Sequence, residues 1–92
     1  MTRFQSVEDI CAFCISLVLF AKDIGDDKLS STLEKELLAS NTSSPTERLW
    51  GSIIGLDAVL AVMDERYSET VTNEAKEAIG QGREWIRRAN GP

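Results

Sequence analysis

A chain of 92 residues with 42% apolar and 27% charged side chains has the make-up of one small globular domain spanning residues 1–92. Its net charge of −5 sets it against phosphate backbones and anionic lipid surfaces, so direct nucleic-acid and membrane binding are not expected. The absence of histidine removes the usual general base and the commonest metal ligand.

With two prolines, six glycines and no run of alternating β-branched residues, the chain reads as all-helical. The first helix is expected over about residues 6–24, with Ser6 as N-cap and Glu8 and Asp9 in the first turn. Its centre, Ile10–Ala21, holds one polar side chain, Ser16. That run is too short to cross a bilayer, which takes about 20 apolar residues. Acids rather than basic residues stand directly before it, against a secretory signal. A soluble, cytoplasmic chain is the expectation. Ile10, Cys14, Leu17, Ala21 and Ile24 form one packed stripe, while Ala12, Ile15 and Leu19 point to the opposite side and Phe20 lies on a flank. A helix apolar on every side is expected to be covered on every side.

Gly25 ends that helix, and Asp26 or Asp27 caps a second over about 27–40. Leu29, Leu33 and Leu37, with Leu38 beside them, make a narrow stripe on an otherwise charged surface. After a polar connector, Ser44-Pro45-Thr46-Glu47 places serine at N-cap, proline at N1 and glutamate at N3. The third helix follows over about 45–67, with Leu49, Ile53, Leu56, Leu60, Met63 and Tyr67 in heptad spacing. Away from the stripe, Gly51, Gly55 and Ala58 form a small-residue face that another helix could approach closely. Ser68 or Thr70 opens the fourth helix, about 69–89. Its inward set is Val71, Ala75, Ala78 or Ile79, Gly82, Trp85, Ile86 and Ala89. Gly80 and Gly82 within it imply either close backbone packing or a kink.

Four helices with short connections predict an antiparallel up-down-up-down four-helix bundle. The first and third helices carry surplus apolar surface, and the simplest cover is a second copy. A homodimer is therefore expected through Ile15, Leu19 and Phe20, with Gly51, Gly55 and Ala58 contributing. In the same topology Asp23, Asp26, Asp27, Asp64, Glu65 and Glu69 collect at one end against Lys22, Lys28 and Arg66. Helix dipoles alone favour several of these acids. Read functionally, they form a partner-binding pole that steers a basic protein, a nucleic-acid-handling one included.

Chemistry is poorly supported. Cys11-Ala-Phe-Cys14 has redox spacing but lies inside an apolar helix, where thiols behave as small hydrophobes. Zinc would need further ligands. Asp57, the acid within the apolar part of the third helix, is expected to face solvent or pair with Arg83 or Arg87. No catalytic residue, metal ligand set or cofactor is expected, and the chain is not read as an enzyme. Two functions fit. One is a small acidic protein that binds and inhibits a protein partner, as immunity proteins, antitoxins and phage-encoded inhibitors do. The other is a structural or adaptor subunit acting through self-assembly or docking in a larger complex.

Overall fold

The computed structural model describes residues 4–40 and 44–89; of the polar connector expected at 41–44, residues 41–43 lie outside them. Four helices follow in order, α1 (Val7–Asp23), α2 (Asp27–Ala39), α3 (Pro45–Leu60) and α4 (Glu69–Ala89), and the fold is an all-α four-helix bundle.

The helix starts obey local chemistry. Ser6 Oγ accepts the Asp9 N–H at 3.2 Å, Asp26 Oδ1 the Leu29 N–H at 3.2 Å, and Ser44 Oγ the Glu47 N–H at 3.4 Å, with Pro45 at the first helical position. Ser68 rather than Thr70 opens α4, accepting the Val71 N–H at 3.2 Å. Between α1 and α2 the chain reverses through Gly25 at φ +78°, a left-handed backbone that side chains with a Cβ rarely adopt.

One element ends earlier than its spacing implies. α3 stops at Leu60, and Ala61–Ser68 is a loop, although Met63 and Tyr67 continue the heptad register. The Val62 and Met63 amides both close on the Val59 carbonyl, and Asp64 just beyond keeps the helix from resuming. Asp64 Oδ1 takes the Arg66 N–H at 2.9 Å, a side-chain turn that competes with the helical bond. Tyr67 is buried nonetheless, reaching the core from the loop.

The helices do not surround α1 evenly. α1, α2 and α3 pack on one another, while α4 rests mainly on α3, meets α1 slightly and does not touch α2 among the described residues. The molecule measures 42 × 28 × 19 Å, about two helix diameters thick. α3 is the central element, and its glycines set how closely its neighbours approach. A Cβ on Gly51 would collide with Ser40 of α2, and one on Gly55 would lie 2.6 Å from Leu33 Cδ1. On the α4 side, a Cβ on Gly82 would lie 2.5 Å from Ile53 Cδ1 of α3. Gly82 thus serves close packing within a continuous helix. Gly80 is exposed with nothing near it, and nothing in the structure explains it.

Two expectations about self-association change here. Gly51 and Gly55 are buried under α2 of their own chain and are closed to a second copy, whereas Ala58 is exposed. α1 is not covered on every side: Ile10, Phe13, Cys14, Leu17, Val18 and Ala21 are buried, but Ile15, Leu19 and Phe20 stay open. Phe20 is partly engaged at home, its ring set edge-on to Tyr67 at 5.7 Å. No helix among the described residues is long and apolar enough to cross a membrane.

Candidate functional site

The open face of α1 runs beside α2, and the two helices border a groove of about 370 Å³. Cys11, Ile15, Leu19 and Lys22 recur along α1 at three- and four-residue spacing, so they share one face and form one wall. Leu37 and Leu38 of α2 form the other. Leu37 packs against the core, and its immediate neighbour Leu38, a hundred degrees round the helix, lies on the side that α2 leaves open. Leu38 therefore stands 68% exposed, facing Ile15 at 55% and Leu19 at 61%. Large aliphatic side chains left this open on adjacent elements mark an interaction surface more often than an accident of folding.

Each end of the groove carries charge, and the ends differ. At one, Lys22 Nζ and Glu34 Oε2 meet at 2.9 Å and satisfy one another. At the other, Arg48 and Ser52 of α3 join Cys11 and Ser40. Ser52 is fully buried; its hydroxyl donates to the Arg48 carbonyl at 2.9 Å and lies 3.5 Å from the Cys11 thiol. Arg48 Nη2 lies 3.8 Å from Glu8, too long for a hydrogen bond, and its Nε is buried without an acceptor among the described residues.

The expected acidic pole is divided by the structure. Asp26 is 7% exposed, so it is a structural carboxylate and not a steering charge. It accepts the Tyr67 hydroxyl at 2.7 Å and the Leu29 N–H, and Arg66 Nη2 lies 3.3 Å from it. The Tyr67 hydrogen bond, helped by the Leu29 amide and Arg66, holds its carboxyl below the usual range against the opposing effect of burial. Asp64 is exposed but held by the Arg66 side chain at 2.9–3.2 Å, which also lowers its pKa. Asp23, Asp27, Glu65 and Glu69 remain exposed at the same turns. The turn after α1 and the loop after α3 are thus joined through Asp26, Tyr67, Arg66 and Asp64, and two of the six acids of the expected pole are engaged inside that junction.

The remaining candidates fall into place. Asp57 pairs with Arg83 at 3.3 Å on the surface, as a structural acid would. Cys14 is buried, and burial pushes its thiol up to about 12. Cys11 is only half-buried and lines the groove, so the two thiols are not equivalent. Sequence reasoning missed Leu38 and Arg48. A signal for Leu38 was present, since it stands beside rather than on the Leu29, Leu33, Leu37 stripe; Arg48 carried none. The sequence matches no family model, no curated protein and no solved structure.

Proposed function

We propose that the chain is a non-enzymatic binding protein that engages a protein partner and inhibits it by occupying its surface, as immunity proteins, antitoxins and phage-encoded inhibitors do. The groove bordered by Ile15, Leu19 and Leu38 carries this reading, because it offers apolar anchors in a concave setting where binding energy concentrates. The exposed acids Asp23, Asp27, Glu65 and Glu69 act on encounter rate, favouring approach by a basic protein. Leu19→Asp tests the reading. Leu19 is already open to solvent, so the variant keeps its fold and melting temperature. A partner recovered from host extract by the wild-type chain is lost with the variant, and stoichiometric chain suppresses that partner's activity. Retention by the variant would remove the groove from the proposal.

A second reading is an adaptor or self-assembling subunit, an antiparallel bundle paired as a homodimer. Trp50 at 44% and Ile54 at 47% exposure favour it, since they open a separate apolar face on α3. Light scattering across a concentration series separates the two: a stable dimer supports assembly, and a monomer at micromolar concentration supports a different partner. Salt is a further discriminator, since association steered by acids slows steeply with ionic strength and apolar assembly does not.

A further inference from the structure

We infer that the occupant of the groove is an amphipathic helix of a different protein, which seats two aliphatic side chains among Ile15, Leu19 and Leu38 and a carboxylate on Arg48. This rests on the reading of the groove as the binding site and adds the chemistry of what binds there. Length and walls argue for a helix. From Cys11 to Lys22 the groove follows α1 for roughly 16 Å, the length of three helical turns. Both walls are helices, whose ridges accept another helix, and the described residues include no strand edge for an extended peptide to join.

Charge argues for the carboxylate. Lys22 is already neutralised by Glu34 at 2.9 Å, so that end asks for no partner charge. Arg48 is held only loosely: Glu8 lies 3.8 Å away and is itself mostly in solvent, and no described residue accepts the Nε proton. A guanidinium beside apolar walls binds a carboxylate through paired hydrogen bonds that strengthen as water is displaced. The unmet charge of the groove is therefore positive, although the whole chain is acidic.

The choice of a different protein over a second copy rests on charge and, for docking through α3, on symmetry. The chain's own surface offers an acid beside an exposed apolar pair as Glu47, Trp50 and Ile54 on α3. A copy docked by that face leaves its own groove open for the next, giving an unclosed chain of subunits. Each copy would also bring a net charge of −5 against another −5.

The test is a displayed library of helical peptides, randomised on one face and selected in parallel on the full wild-type chain, on Leu19→Asp and on Arg48→Glu. Wild-type selection is expected to enrich an aliphatic pair at i, i+3 or i, i+4 with Asp or Glu about one turn away. Selection on Arg48→Glu should enrich Lys or Arg at that same register, a reversal that a merely structural role for Arg48 would not produce. Purified wild-type winners should bind Arg48→Gln about tenfold more weakly, the usual scale of a lost charge-assisted hydrogen bond. They should fail on Leu19→Asp. Helicity and melting temperature qualify each variant, and Arg48→Gln carries the test if Arg48→Glu does not fold. Winners that need Leu19 but show no acid, or the same acid on Arg48→Glu, would overturn the carboxylate while leaving the groove as the site. Winners indifferent to Leu19→Asp, or none at all, would overturn both. A wild-type dimer or longer assembly dissolved by Leu19→Asp would make the occupant a second copy.

Discussion

Tyr67 donates a 2.7 Å hydrogen bond to Asp26 across 41 positions of sequence, and both side chains are buried where they meet. The bond ties the loop after α3 to the N-cap of α2, so one carboxylate caps a helix and anchors a loop. Removing the hydroxyl with Tyr67→Phe should cost about 2 kcal/mol, since it withdraws a donor from a buried charge. In a chain of this size that lowers the melting temperature by roughly 10 °C. Asp26→Asn should cost about as much, and urea denaturation of the pair should show the double variant less damaged than the sum by about 1 kcal/mol. Additive losses would mean that the two groups act independently.

The same junction sets the response to pH. Asp26 titrates below its ordinary value of 3.8 because Tyr67, the Leu29 amide and Arg66 favour the charged form, with Asp64 the nearby opposing charge. A lowered folded pKa gives stability that is complete above the unfolded value and is lost as pH falls through the folded one. Asp64 and Glu84, each held by arginine, act in the same direction. On the alkaline side, burial and Asp26 raise Tyr67, and burial raises Cys14 to about 12. Groups that hold their protons more tightly when folded lose their contribution as pH rises past their unfolded values, 9.0 for the thiol and 10.0 for the phenol. Stability measured by urea should therefore be level through neutrality, decline below about pH 4 and decline again above about pH 9. Asp26→Asn should shallow the acid limb, and Tyr67→Phe the alkaline one.

Alkylation should distinguish the two thiols. At pH 8 Cys14 holds its proton, because burial raises its thiol, and it is closed to reagents besides. Cys11 opens into the groove. Iodoacetamide on the native chain should add one label, located at Cys11 by peptide mass, and the second only after unfolding. Protection of Cys11 by a bound partner would then report occupancy of the groove directly. Two labels at equal rates on the native chain would contradict the packing of α1.

The glycines make opposite predictions. Glycine to alanine within a helix ordinarily stabilises by about 1 kcal/mol, and Gly80→Ala should show that gain because its side is open. Gly55→Ala and Gly82→Ala should instead destabilise by about 1–3 kcal/mol, because the new methyl meets Leu33 or Ile53. Gly51→Ala, which strikes Ser40, should be at least as harmful. Thermal melts of the four variants suffice, and a uniform gain would show that the helices are spaced more loosely than described.

Much of this architecture was legible in single residues. Ser6 and the Ser44–Glu47 segment announce their helix starts because capping is a local matter between a side chain and an amide three residues on. Gly25 announces its turn because glycine alone adopts a left-handed backbone freely. The end of α3 was not legible, because Met63 and Tyr67 preserve helical spacing while Asp64 redirects the backbone. Buried status was legible by stripe, but which neighbour covers a face depends on crossing geometry. Hence Gly51 and Gly55 read as sites for a second molecule and turned out to seat α2. In the groove, Ile15 and Leu19 stood out as surplus apolar residues, whereas Arg48 became relevant only when α3 brought it beside Cys11. The acids were legible as a cluster and misread as uniformly exposed, since nothing local says that Tyr67 folds back onto Asp26.

The lopsided placement of α4 divides the molecule into a working part and a buttress. Every residue lining the groove belongs to α1, α2, α3 or the Ser40 cap, and α4 does not touch α2 at all among the described residues. Whatever happens on the outer side of α4 reaches the groove mainly by way of α3, with only a slight contact to α1 beside it. That outer side is consequently the place where a label, a fused domain or a tether to a larger assembly can be attached while the binding surface goes on working unchanged.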